Sequence, residues 1–231
     1  MSLFGEVAEP NSRNIWEDWD EIINESDDSN SKLQWDNQVE INKTIDSFYL
    51  LDGKYLKQFV NTTSQHLQLV NTVKEVNLYL YEIHTHNHNK YICTIMDYNL
   101  ILSSEVVQLL HPYFEFCKNV LTIQCISMSE YRTNQLNTQA CVIRGIYTSK
   151  ALNTSELDIP KLEQPNILSG VPAGIITLRE HLDQIGIALI CYIEYTEDYQ
   201  IEELQKLLHT LEIGSNIQKG PSIFLSSNLY I

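Results

Sequence analysis

Regular spacing of apolar residues begins near Asp46 and continues to about residue 214. In DSFYLLDG (Asp46–Gly53) the apolar run Phe48–Leu51 closes on Asp52-Gly53, which predicts a buried strand ending in a turn. In KYLKQFVNTTSQHL (Lys54–Leu67), Tyr55, Leu56, Phe59 and Val60 recur at helical spacing. EVNLYLYEI (Glu75–Ile83) alternates as a strand does, and NKYICTIM (Asn89–Met96) is placed to pair with it across HTHNH. SSEVVQLLHPYFEF (Ser103–Phe116) reads as a helix with a serine cap, which Pro112 interrupts or ends. VLTIQCISM (Val120–Met128) is a strand, whereas ACVIRGIYT (Ala140–Thr148) fits either helix or strand. LEQPNIL (Leu162–Leu168) is an irregular approach to a helix that Pro172 starts and Gly186 stops. IALICYIEY (Ile187–Tyr195) reads as a central strand buried on both faces. A last amphipathic helix, capped by Thr196 and ended by Gly214, places Ile201, Leu204, Leu207, Leu208 and Leu211 on one face.

Strands alternating with helices predict an α/β domain, a three-layer α/β/α sandwich with a mixed sheet, over residues 45–214. Residues 1–44 form an acidic N-terminal segment and residues 215–231 a flexible C-terminal tail. The segment has scattered aromatics (Trp16, Trp19, Trp35) and too little apolar area to offset its ordering entropy, so it is expected to be largely disordered. Charge sharpens this division. The chain carries a net charge of −15, and residues 1–40 alone hold 11 acids against 2 bases. That balance argues against nucleic acid as a main partner, because phosphate neutralisation needs a basic patch. The longest apolar run, Ile185 to Ile193, is about half of what a membrane span needs, and MSLFGEV lacks the basic start of a secretory signal. A soluble protein of the cytoplasm, and by extension the nucleus, is expected. The five cysteines (Cys93, Cys117, Cys125, Cys141, Cys191) lie among apolar neighbours without a CxxC, which predicts reduced core thiols.

Candidate chemistry is sparse. His84, His86 and His88 would share one face of an extended strand and could converge on a metal. They fall at a predicted hairpin turn, where a polar exposed loop is the simpler reading. SGVPAG (Ser169–Gly174) has the look of a phosphate cradle but lacks the P-loop lysine and the dinucleotide spacing, and helix initiation accounts for it better. No nucleophile elbow, zinc-protease pattern or lactamase pattern is present. A small α/β hydrolase or nucleoside-binding enzyme is the alternative reading. An adaptor acting only through its acidic segment is a third. No catalytic residue, metal or cofactor is assigned.

The two ends carry more. LFGEV (Leu3, Phe4, Gly5, Glu6, Val7) is an apolar tip ahead of the acidic segment, either a tethered recognition peptide or a frayed terminus. SNLYI ends the sequence on Leu229, Tyr230 and Ile231. A terminal carboxylate can be captured in a pocket by a lysine or backbone donors while the leucine and tyrosine bury apolar area. So short a peptide gains affinity from being tethered to a docked domain.

The block LEQPNILSGVPAGIITLREH (Leu162–His181) resembles the signature of the proteasome assembly chaperone 1 family, in which LEQPN precedes a short spacer and an LPAA-type helix start. The resemblance rests on Leu162, Glu163, Gln164, Pro165, Asn166 and Pro172. FGEV followed by an acidic stretch, and the Ser-Asn-hydrophobic-Tyr-X ending, are similar to that family too. The chain departs from it in a shorter region before the first strand, without the family's longer basic stretch. The resemblance implies a non-enzymatic α/β/α chaperone that pairs with proteasome assembly chaperone 2. It also implies binding to the 20S proteasome α-subunits, promotion of α-ring assembly and prevention of off-pathway α-ring dimers. Leu229 and Tyr230 would enter a pocket between α-subunits, with the Ile231 carboxylate paired to a lysine there. The Leu3–Val7 tip would be a second tethered contact. One half of such a heterodimer should expose an apolar face to its partner.

Overall fold

The computed structural model describes residues 33–37, 45–62, 67–84, 89–133, 141–152, 159–194, 204–209 and 211. Strand β1 (Ser47–Asp52) is followed by α1 (Lys54–Thr62), β2 (Leu67–Val73), β3 (Leu78–His84) and β4 (Asn89–Ile95). Then come α2 (Ser103–Phe114), β5 (Asn119–Ser127), β6 (Cys141–Tyr147), the short α3 (Ser149–Leu152), α4 (Gly170–His181) and β7 (Gly186–Ile193). Residues 204–209 are helical.

The strands form one mixed sheet in the order β2-β3-β4-β1-β5-β7-β6. β4, β1, β5 and β7 run parallel, and antiparallel β2-β3 and β6 extend the two sides. The near-continuous burial of β1 follows from helices covering both faces, while the Ile190 and Tyr192 face of β7 is covered in part by Tyr131, Leu162 and Leu168. Side chains alternate accordingly. Phe48 and Leu50 pack with Val106, Leu110 and Phe114 of α2 and with Val171 and Ile175 of α4. Tyr49 and Leu51 pack on the opposite face with Leu56 and Val60 of α1 and with Leu204 and Leu208. Burying each such leucine or phenylalanine contributes about 1.5–3 kcal/mol. The sandwich of helix, sheet and helix is therefore the expected one.

Several local expectations need correction. The helical reading of Lys54–Leu67 runs too far: α1 stops at Thr62, Leu67 opens β2, and β2 pairs with β3 through a bulge between Leu69 and Asn71. β7 lies second from the edge; the centre of the sheet is β1. Gly186 opens β7 and does not stop α4. Instead Asp183 takes the left-handed conformation (φ 50°), which a short polar side chain tolerates. Ser103 does not cap the start of α2; its hydroxyl donates to the Leu100 carbonyl at the end of the preceding turn, Leu100–Leu102, whose start Asn99 caps. α2 runs two residues past Pro112. The ambiguous segment around Cys141–Tyr147 is strand β6. The five thiols are free, and all but Cys125 are buried. Thr196, Ile201 and Gly214 lie outside the described residues.

Leu33 and Trp35, ahead of the expected start at residue 45, pack on the α2 side of the core. Trp35 meets Tyr113 edge-on at 5.6 Å, and the Asp36 amide donates to the Thr72 carbonyl at 3.0 Å. Among the described residues, the guanidinium of Arg179 is fully buried. Arg179 of α4 donates to the carbonyls of Phe114, Lys118 and Ile185 and to Gln184 Oε1. It thereby satisfies carbonyls at the C-terminal end of α2 that the helix itself leaves open.

Candidate functional site

Among the predicted site residues, Leu162–Asn166 and Pro172 are described. Leu3–Val7, Leu229, Tyr230, Ile231, His86 and His88 lie outside the described residues, and His84 ends β3.

The segment from Ile159 to Ser169 runs beside β6 and leads into α4. It is first held along β6. The Gly145 amide donates to the Pro160 carbonyl at 2.8 Å, and the Leu162 amide returns a bond to the Gly145 carbonyl at 2.9 Å. Gly145 is required here, since a Cβ would stand 2.6 Å from the Tyr147 ring. Leu162 then packs with Val142, Ile190 and Tyr192.

Glu163 is the hub. Arg144 Nε donates to its Oε2 at 2.8 Å, Tyr131 donates its hydroxyl to Oε1, and Arg144 Nη2 donates to that same hydroxyl at 2.7 Å. Desolvation pushes the Glu163 carboxyl up, but the bonds from Tyr131 and Arg144 outweigh it and hold the carboxyl below its ordinary value. The Tyr131 ring stacks obliquely on Tyr192 at 4.7 Å, which fixes the hub to β7.

The Gln164–Pro165 peptide bond is cis. Asn166 closes the segment. Its Oδ1 accepts from the Arg132 amide at 2.7 Å, and its Nδ2 donates to the Arg132 and Glu163 carbonyls at 2.8 and 2.9 Å. Three letters of LEQPN thus have a place: Leu162 fills core, Glu163 pairs charge and Asn166 clamps backbone. Gln164 and Pro165 are exposed. The segment and its partners enclose an open cavity of about 800 Å³.

A second polar cluster lies at the C-terminal end of β1, under the start of α4. Asp52 is buried and accepts from Gln124 Nε2 at 3.0 Å and from the Tyr98 hydroxyl at 3.4 Å. Burial pushes its carboxyl up to about 6, against the smaller opposing effects of Gln124 and Tyr98. The Tyr98 hydroxyl accepts the Val171 amide at 3.0 Å, and Gln124 also donates to the Ser169 carbonyl at 3.3 Å. SGVPAG is therefore held by a tyrosine and a glutamine. Gly170 needs its freedom: its φ is +71°, and a Cβ would meet the Tyr98 hydroxyl at 2.3 Å. Pro172 sits in the first turn of α4, where no amide proton is required.

Tyr131, Arg144, Asp52, Gln124 and Tyr98 were not singled out in the sequence. Asp52 was visible only as half of a turn. Arg144 was visible only as the one charge inside an apolar run. Among the described residues no group of histidine, cysteine and acid residues is arranged to hold a metal, and no helix is long and apolar enough to cross a membrane. Large apolar side chains stand exposed beside α2 and α4. Leu100, Ile101 (82% exposed) and Ile167 precede the two helices, and Phe116 and Leu182 follow them. A groove of about 570 Å³ runs between the helices, floored by Val107, Ala173, Gly174 and Thr177.

The fold defines a class: α/β/α sandwiches that share this seven-stranded mixed sheet. No family model and no curated protein matches the sequence. Among solved structures, the chain is similar to Pyrococcus furiosus PbaA, an archaeal homologue of proteasome-assembly chaperone. One crystal form matches with a TM-score of 0.55 at 11% identity over 76% of this chain and 80% of that one. A second PbaA structure matches with a TM-score of 0.51 at 13% identity, covering 78% and 85%. A protein of unknown function from Thermoplasma acidophilum matches with a TM-score of 0.54 at 8% identity, covering 74% and 77%.

Proposed function

We propose that this chain is a non-enzymatic proteasome assembly chaperone of the chaperone 1 kind, which acts as a heterodimer with proteasome assembly chaperone 2. In this reading the pair binds 20S α-subunits, promotes α-ring assembly and prevents off-pathway ring dimers. Leu229 and Tyr230 fill a pocket between α-subunits, and the Ile231 carboxylate pairs with a lysine there. Leu3–Val7 is the second tethered contact, reached across the acidic segment 1–44, and the tail 215–231 gives the C-terminal motif its reach. The work is done in the cytoplasm and nucleus. The observation that carries the reading is the coincidence of a PbaA-like sandwich with an LEQPN segment whose residues brace that sandwich. The exposed apolar residues flanking α2 and α4 offer the face for the partner chaperone.

One observation favours the enzyme alternative: Asp52 is a buried carboxyl at the C-terminal end of a central parallel strand, where α/β enzymes place their ligands. Its oxygen is occupied by Gln124 and Tyr98, and those groups in turn hold the start of α4. That is the arrangement of a structural bracket. The test of the chaperone reading is capture from cytosol with the intact chain and with Leu229–Ile231 removed. The intact chain should recover α-subunits and the partner chaperone, and the truncated chain should keep the partner but lose most α-subunits. Recovery of no α-subunits by the intact chain would overturn the reading; unchanged recovery after truncation would transfer the contact to the acidic segment.

A further inference from the structure

The cavity beneath the LEQPN segment has a charge unlike the rest of the molecule. Acids outnumber bases 30 to 15 over the chain, yet among the described residues that line this cavity Arg132, Arg144 and Lys161 stand against one acid, Glu163. The three cations differ in role. Arg144 is largely buried and its guanidinium is fixed by Glu163, the Tyr131 hydroxyl and the Ile143 carbonyl, which takes Nη1 at 3.0 Å. Those bonds use three of its five N–H donors and leave two. Arg132 and Lys161 are exposed, and neither side chain makes an ion pair with a described residue. The Arg132 backbone is nevertheless clamped by Asn166, and Lys161 is bridged to Gly145 of β6, so both side chains start from rigid points. Tyr131, Pro160 and Pro165 supply flat apolar rim beside the charges.

We propose that this cavity is a binding site for an acidic peptide segment of a partner protein. Carboxylates of the segment pair with Arg132 and Lys161 at the mouth, and one reaches the two remaining Arg144 donors. Glu163 and Tyr131 act as positioning residues that hold the guanidinium in place. A peptide is favoured over a small anion because about 800 Å³ of open volume far exceeds what one oxyanion fills. The chain as a whole, at net −15, repels acidic ligands at long range. Capture therefore depends on this local reversal of sign.

The inference does not rest on the chaperone reading and is tested separately. Fluorescein-labelled tetraglutamate would be titrated into the full chain at low salt, beside tetraglutamine and with inorganic phosphate as competitor. The expected result is saturable binding of tetraglutamate and none of tetraglutamine. Binding should weaken by about tenfold or more in the Arg132→Ala/Lys161→Ala variant with its melting temperature unchanged, and more still in Lys161→Glu. Absence of binding to the intact chain, or unchanged binding by both variants, would overturn the proposal. Phosphate displacing the peptide at equal charge concentration would overturn it too, in favour of a small-anion site.

Discussion

Two clusters in this molecule use nearly the same groups and shift their carboxyls in opposite directions. Around Asp52 a carboxyl meets a tyrosine hydroxyl and the amide of Gln124; around Glu163 a carboxyl meets a tyrosine hydroxyl and the guanidinium of Arg144. Burial dominates the first and pushes Asp52 up to about 6, whereas hydrogen bonds and a cation in a half-exposed setting hold Glu163 below its ordinary value. A neutral amide donor cannot repay the loss of hydration that a charged donor repays. The first cluster therefore secures the start of α4 at a cost that depends on pH, and the second secures the LEQPN segment with its charges intact.

The largest expected effect tests the first half of this contrast. Folding raises the Asp52 carboxyl from 3.8 to about 6, so the folded chain keeps the proton to higher pH than the unfolded chain. Stability from this group is greatest below about pH 4 and is lost as pH rises to about 6, by about 3 kcal/mol in all. Asp52→Asn keeps an acceptor for Gln124 and should remove that loss. Denaturation at pH 7.5 should find the variant more stable, and at pH 4 the two chains should converge. A less stable variant at pH 7.5 would show that the charge is needed.

Tyr98→Phe comes next. It strips the Val171 amide of its acceptor and Asp52 of a donor, which should cost about 1–2 kcal/mol. Amide exchange should quicken at the first turn of α4 and leave β7 untouched. Arg144→Met should cost roughly 1 kcal/mol, since the Glu163 side chain is 38% exposed and solvent screens the pair. Its pH dependence runs the other way. Glu163 contributes stability above its unfolded value of 4.5 that is lost as pH falls below it, and the variant, which keeps only the Tyr131 bond, should show a smaller acid-side loss. Acid titrations of the two chains that run parallel would break the comparison. Ile101→Asp, on the exposed face before α2, should leave stability within about 0.5 kcal/mol while weakening partner binding.

The layers of the fold were legible because periodicity reports burial directly. Phe48-Tyr49-Leu50-Leu51 is apolar on both faces, and the structure buries both. Strand β2 was not legible, since LQLVNTV follows a helical pattern without a strong break and Leu69 is exposed. Its place is fixed by Asn71, whose side chain pairs with the Asn37 backbone, a contact between distant residues that no local pattern reveals. The LEQPN segment was visible as a motif but not as a brace. Glu163 became interpretable only when Tyr131 and Arg144, 32 and 19 residues away, were brought to it. Arg179 had the same obscurity: in sequence it is a cation in the last turn of a helix, and in the fold it is a buried tie between α2, α4 and β7.

We propose that the sandwich serves to deliver the Leu229-Tyr230-Ile231 end to the proteasome α-ring. The most direct measurement is the affinity of the chain, paired with the proposed partner chaperone, for α-ring assembly intermediates, compared with Tyr230→Ala and with a chain extended by one residue after Ile231. Both changes should weaken binding about tenfold or more, through loss of a buried ring in one case and displacement of the carboxylate in the other, with unchanged melting. Equal affinity for all three chains would contradict the account.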